Sequence, residues 1–260
     1  MPRTHNLLSL LGAAIALSAC TKEIQLDLKD TSNKVVIEAV VTEGQGPHTV
    51  KITRSIGFDQ PNDFPGIANA VVTLADDAGN TEQLAEATAG HYRSTAISGA
   101  QGHTCRLSVV VNGNTYTAQC TMPMAVPLVA VRVDSVPSFG SYTKVIVPVY
   151  TDPAGAANYY RLMVKVNGEQ QPGVVVRNDR MTDGRTVAEP LFLDDGELKS
   201  GDTVELTLLS ISQDVYDYFF TMAQNVGNGA TPADPVSNID GGALGYFSVH
   251  TASARSAVVP

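Results

Sequence analysis

The stretch Thr104-Cys105-Arg106-Leu107-Ser108-Val109-Val110-Val111-Asn112-Gly113-Asn114-Thr115-Tyr116-Thr117-Ala118-Gln119-Cys120-Thr121 reads as two strands around a two-residue turn. Asn-Gly suits that turn because both central positions need positive φ. The flanks are rich in Val and Thr and alternate in polarity, as half-buried strands do. A turn at Asn112-Gly113 sets Val111 against Asn114 and, stepping outward, Cys105 against Cys120. At a hydrogen-bonded pair of that kind the Cα atoms lie about 5.5 Å apart, which permits a disulfide. A Cys105–Cys120 bridge is the expectation, with two buried free thiols as the alternative.

Working outward, Val35 to Thr42, His48 to Arg54, Ala70 to Ala75, Thr81 to Glu86 and His91 to Ser94 are further strands, separated by Gly- and Pro-bearing turns. With the hairpin they make seven short strands, the pattern of a sandwich. Ser55 to Asn69 is a long loop carrying Phe58, Pro61, Phe64 and Pro65. Loops of that length are often functional, so Phe58 and Phe64 are candidate partner contacts. The plainer reading folds both rings back onto the core. Asp76-Asp77-Ala78-Gly79-Asn80 lacks the D-x-D-x-D-G spacing of a calcium loop and reads as a turn. No metal site and no cofactor are expected.

The prolines of Met122 to Pro127 interrupt ladder pairing and mark a boundary. Beyond it, Val129, Val131 and Val133 alternate with Ala130, Arg132 and Asp134, a half-buried strand. Lys144 to Tyr150 is a strand whose Pro148 suggests a sheet edge. Tyr159 to Val166 turns at Asn167-Gly168, Gly173 to Asn178 is a candidate partner strand, and Thr203 to Ile211 follows. Residues 213–225 read as a helix, started by Ser212 or Asp214 and stopped by Gly227. Tyr216, Phe219 and Phe220 share one of its faces, either as a ligand platform or as the buried side of a capping helix. In Asp240-Gly241-Gly242-Ala243-Leu244-Gly245 the glycines bring backbone close to something or permit positive φ. Asp240, Gly241, Gly242 and Gly245 are therefore a second candidate contact surface. Tyr246 to Thr251 and Arg255 to Val259 close the chain. The expected fold is all-β. It comprises two β-sandwich domains in tandem, immunoglobulin-like or prealbumin-like, over 34–123 and 124–260, with one short helix in the second.

The first 19 residues have the parts of a secretory signal: Arg3, an apolar run from Leu7 to Leu17, then Ser18 and Ala19. The run is too short to span a bilayer. Leu17-Ser18-Ala19-Cys20 is a lipobox, which makes Cys20 a lipidation site and residues 20–33 a tether. Removing residues 1–19 takes away Arg3 and no acid, so 17 Lys plus Arg become 16 against 26 Asp plus Glu, a net charge of −10. So acidic a body has no electrostatic reason to bind nucleic acid or anionic headgroups.

Catalytic signatures are absent. There is no G-x-S-x-G, no H-E-x-x-H and no G-x-G-x-x-G. Asp194-Asp195 before Gly196 reads as an acidic turn rather than half of a glycosidase pair. The segment Ala70 to Ser94 loosely resembles prealbumin-like or carboxypeptidase-regulatory-like domains. With it, Cys20-Thr21-Lys22-Glu23-Ile24, the aromatic helix and above all Asn238-Ile239-Asp240-Gly241-Gly242-Ala243-Leu244-Gly245-Tyr246-Phe247 resemble a Bacteroidetes lipoprotein family of unknown function, numbered 4249. The resemblance implies an outer-membrane lipoprotein, on the cell surface or the periplasmic face, often encoded beside a TonB-dependent transporter. A non-catalytic accessory or binding partner of such a transporter is the functional expectation. A stand-alone structural or adhesive surface module is second, and a glycan-active enzyme third.

Overall fold

The Asn112-Gly113 hairpin forms in the expected register. The computed structural model describes residues 33–57, 60, 61, 63–138, 140–193, 196–227 and 235–260. Asn112 and Gly113 take φ of 49° and 81°, the left-handed pair of a type I′ turn. They join β9 (Thr104–Val111) to β10 (Asn114–Thr121), and Cys105 stands opposite Cys120. Ahead of them come β1 (Val35–Thr42), β2 (Gly44–Gln45), β3 (His48–Arg54), β4 (Val71–Asp76), β5 (Thr81–Gln83), β6 (Ala85–Thr88), β7 (His91–Ser94) and β8 (Ser98–Gly99). Beyond them run β11 (Leu128–Ser138), β12 (Ser141–Thr151), β13 (Tyr159–Val166), β14 (Glu169–Gln170), β15 (Val175–Asn178), β16 (Thr186–Val187) and β17 (Thr203–Ile211). Helix α1 (Gln213–Gly227) and the long β18 (Leu244–Val258) complete the chain.

Among the described residues these strands build a nine-stranded sheet in the order β14-β13-β17-β18-β1-β3-β7-β6, with β15 also on β13. A four-stranded sheet, β10-β9-β4-β5, and a three-stranded one, β11-β12-β16, accompany it. Two hydrophobic cores result. In the first, Ile37, Ala39, Ile52 and Phe247 of the large sheet are buried with Val72, Leu74, Leu107 and Val109 of the four-stranded one. In the second, Leu162, Leu206 and Leu208 are buried with Leu128, Ile146 and Tyr150 of the three-stranded sheet. Among the described residues the fold is therefore mostly β, with two sandwich-like packings and one helix.

The halves on either side of residue 124 share one sheet, an arrangement that local patterning did not anticipate. Strand β18 is the seam. Its first part runs parallel to β1, Leu244 beside Val36 through His250 beside Thr42. Its second part runs antiparallel to β17, Thr251 beside Ser210 through Val258 beside Thr203.

Pro148 does not mark an edge strand, because β12 lies between β11 and β16. It is tolerated because it falls between the Ile146–Leu191 bridge and the Tyr150–Val187 pair, where ladder pairing on that side is interrupted. Val175–Asn178 does pair with β13, as expected, although the Asn167-Gly168 turn itself leads into the shorter β14.

Helix α1 starts where Ser212 was expected to cap it, the Ser212 carbonyl accepting the Tyr216 amide at 3.0 Å. It packs on β13, β15 and β18. Val215, Tyr216, Tyr218 and Phe219 are buried, so the aromatic face is mainly a capping face. Phe220 departs from it: it stacks on Tyr216 with centroids 5.6 Å apart but stays 44% exposed, at the rim.

Candidate functional site

In β1 the residues Val35, Ile37, Ala39 and Val41 point into the core, so Val36 and Glu38 face the other side of the sheet. Pairing sets Glu38 beside both Lys51 of β3 and Tyr246 of β18, and Val36 beside both Thr53 and Leu244. This row floors a groove of 560 Å³ whose sides include Phe64 from the long loop, Tyr218 from α1 and Pro235. Its lining is mostly apolar, with one ion pair on the floor, Lys51 Nζ to Glu38 Oε2 at 3.3 Å. Both partners are about two-fifths exposed (42% and 41%), so the pair stabilises the fold by roughly 1 kcal/mol at most. It gives the groove a polar contact point rather than holding the sheet together.

An aromatic cluster stands behind the groove. Tyr218 and Tyr246 have centroids 5.1 Å apart, and Phe219 and Tyr246 4.8 Å. The Arg161 guanidinium of β13 lies 3.8 Å from the centre of the Phe219 ring. Burial lowers the Arg161 pKa, partly offset by the neighbouring Tyr246 and Tyr218. Burial, with the Glu38 charge nearby, pushes the Tyr218 hydroxyl up to about 12. A desolvated cation over a ring contributes about 2 kcal/mol, so Arg161 locks the helix onto the sheet and holds Tyr218 at the groove wall.

Two contact surfaces expected separately thus meet in part, since Phe64 and Gly245 line the same groove. Phe64 is 50% exposed and does not fold into the core. Phe58 lies outside the described residues, as do Cys20, Asp194 and Asp195. Asp240 goes elsewhere. It bridges to Thr117 of β10 through two backbone hydrogen bonds, of 2.8 and 3.3 Å, and lines a second groove of 410 Å³ on the four-stranded sheet.

Residues 240–244 therefore carry the chain from one sheet of the sandwich to the other. A Cβ on Gly241 would stand 2.7 Å from the Thr115 carbonyl oxygen, and one on Gly245 2.0 Å from that of Ile37. Gly242 has φ of +85° and open space around it. The close approaches expected of these glycines are made to the chain's own strands. Asn238 completes the crossover, its side-chain amide bonding the Phe247 N–H and C=O at 2.9 Å each, as a neighbouring strand would.

The two buried histidines, His48 and His250, are held by the chain's own groups. Ser248 Oγ and His250 Nδ1 are 2.8 Å apart, the spacing of a nucleophile and its base. Yet the residues are only 2% and 7% exposed. Burial first, and the Arg161 charge second, bring His250 down to about 4. A neutral imidazole sealed in the interior cannot reach a substrate. His48 is tied by Nε2 to the Ile97 carbonyl at 3.0 Å and accepts the Thr42 amide at 3.4 Å. Asp76 receives the Asn80 amide at 2.8 Å, the plain turn its spacing indicated.

The expected disulfide is not formed: Cys105 and Cys120 are buried free thiols. Strand register places the two Cα atoms opposite each other but leaves the direction of each sulfur undecided. Cys120 Sγ accepts the Val249 amide at 3.4 Å and lies 3.5 Å from Ser212 Oγ. Burial, with the nearby Asp76, pushes the Cys105 thiol up to about 11, and burial raises that of Cys120 as well. Both stay protonated and unreactive at neutral pH. Native protein is expected to resist a thiol-titrating reagent at both positions. In guanidinium without reductant both should react. Reaction only after reduction would show a bridge instead.

The family described as Domain of unknown function (DUF4249) matches residues 21–256. The chain belongs to the DUF4249 family. The match runs through both cores and the β18 seam, so it covers the fold as a whole. A comparison with curated proteins finds no match. Within this DUF4249 chain, Asn238 to Phe247 is a structural crossover that also supplies one side of the groove. Its Asn-then-glycine pattern was visible in the sequence; the pairing of β1 with β18 that makes it a groove wall was not.

Proposed function

We propose that this DUF4249 chain is a lipid-anchored, non-catalytic recognition protein of the outer membrane that binds a TonB-dependent transporter through the Phe64–Tyr218–Leu244 groove. The observation that carries the reading is the groove itself. Two segments distant in sequence meet there to give an apolar recess with an exposed aromatic at its rim and one charged pair on its floor. Buried aromatic or aliphatic anchors surrounded by a polar rim are what protein interfaces use. The lipobox at Cys20 supports membrane attachment, which concentrates the body near membrane proteins. The sealed state of the Ser248–His250 pair supports binding over catalysis.

The test is affinity purification of tagged protein in mild detergent, with mass spectrometry. A transporter barrel should be enriched with the wild-type protein and fall several-fold with Phe64→Ser, a change at a half-exposed ring that leaves the core intact. Cys20→Ala should lose lipid labelling. Recovery of the lipoprotein alone across detergents and crosslinkers, with the transporter present in the input, would overturn the reading in favour of a stand-alone surface module.

A further inference from the structure

Asp152 follows directly on β12 and is only 1% exposed. Its Oδ1 accepts the Tyr160 hydroxyl, whereas its Oδ2 is buried and makes no hydrogen bond of good geometry, although the Gly184 amide lies close enough to the carboxylate to favour its charge. An orphaned carboxylate oxygen in the interior is costly. Two more acids stand beside it, Asp179, itself 8% exposed, and the exposed Asp183. Each of the three offers an oxygen within 4.8 Å of the others.

Backbone geometry builds this convergence. The Asp152 amide donates to the Arg185 carbonyl at 2.9 Å, extending the β12–β16 pairing. The Asp179 carbonyl accepts the amides of Thr182 and Asp183 at 2.8 and 2.9 Å, folding that turn back on itself. The Asn158 amide donates to Asp179 Oδ2 and the Gly155 amide to Asp183 Oδ1, each at 2.7 Å, so the loop at 152–158 is tied to the turn at 179–185. None of the ion pairs among the described residues involves any of the three acids. Burial raises the Asp152 pKa, the Tyr160 hydroxyl and the Gly184 amide work against it, and the charges of Asp179 and Asp183 add to it.

We propose that Asp152, Asp179 and Asp183 hold a hard divalent cation of the calcium class. The donor set is all oxygen, with no imidazole or thiolate to favour zinc or copper. Calcium accepts irregular shells of oxygens at about 2.4 Å, so two oxygens on one ion stand at most about 4.8 Å apart, and the three aspartate oxygens lie within that distance of one another. Such an ion satisfies the buried Asp152 carboxylate, removes the repulsion among the three carboxylates and pins the loop to the turn. The three aspartates do not share a loop, so no calcium-loop spacing announces them; the pairing of β12, β13, β15 and β16 assembles the cluster.

The test is calcium titration of purified protein stripped with EDTA, read by Tm and by tyrosine-sensitised terbium emission. Tyr160, bonded to Asp152, is the natural sensitiser. Calcium at millimolar concentration should raise the Tm and displace terbium. Asp183→Asn, which keeps an acceptor for the Gly155 amide and removes one of the three repelling charges, should leave the Tm of the stripped protein no lower and weaken calcium and terbium binding at least tenfold. No calcium response in the wild-type protein would overturn the proposal. A response undiminished in Asp183→Asn would overturn it as well.

Discussion

Gly245→Ala is expected to destabilise the protein by about 4 kcal/mol, the sum of a left-handed backbone forced on alanine and a close overlap with neighbouring backbone. Gly245 has φ of +99°, and a Cβ there would lie 2.0 Å from the Ile37 carbonyl oxygen. That oxygen belongs to β1, at the pairing that makes one sheet of the two halves. Neither strand can yield without loosening the seam. Gly242→Ala is the control. Gly242 also has positive φ, +85°, but nothing lies within 4 Å of its added Cβ, so only the strain applies, roughly 1 kcal/mol. Urea unfolding of the two variants measures both. Equal losses would show that overlap with β1 contributes nothing.

Glu82 is the second position where one side chain decides much. Its carboxylate accepts the Ser94 hydroxyl at 2.7 Å, the Thr95 hydroxyl at 3.1 Å and the amides of Thr95, Ala96 and Ile97 at 2.8, 3.0 and 3.0 Å. Burial pulls its pKa upward, but the donors of Thr95, Ser94, Ile97 and Ala96 together outweigh it and bring the group down to about 2, from 4.5. A folded-state pKa below the unfolded one stabilises above the unfolded value. That contribution is complete above about pH 4.5 and fades as pH falls toward about 2. Allowing for the partial exposure of the carboxylate, it is about 2 kcal/mol at neutral pH. Glu82→Gln should cost that much at pH 7 and progressively less as the wild-type carboxylate protonates. A gap between the two proteins that stays constant from neutral pH down to acid would sink this account.

Local rules carried the sequence a certain distance. Asn112-Gly113 sets a register because a two-residue turn allows only one pairing, and Cys105 did fall opposite Cys120. The same rule could not say where the sulfurs would turn, and Val249 and Ser212 decided that. Helical spacing grouped Tyr216, Phe219 and Phe220 on one face but could not show that Phe220 would stay half-exposed while the other two are buried. The glycines of 241–245 announced close approach without naming its partner. The parallel pairing of β1 with β18 has no local signal at all, since each strand alternates in the same way whatever lies beside it. The groove at Phe64 and the triad at Asp152 inherit that opacity, because each exists only after distant strands have found one another.

Strand β18 also governs when the protein can become itself. Until it arrives, the edges of β1 and β17 that it will cover remain open, and neither half of the large sheet is complete. Closing that gap joins segments separated by nearly the whole described chain. The entropy of such a closure grows only with the logarithm of its length, so it weighs on the speed of folding far more than on final stability. A high contact order of this kind leaves hydrophobic strands such as Val35–Thr42 uncovered for longer, the state in which chains aggregate or are held by chaperones. Under the proposed export of this chain that delay is an advantage: it stays threadable until β18 is through.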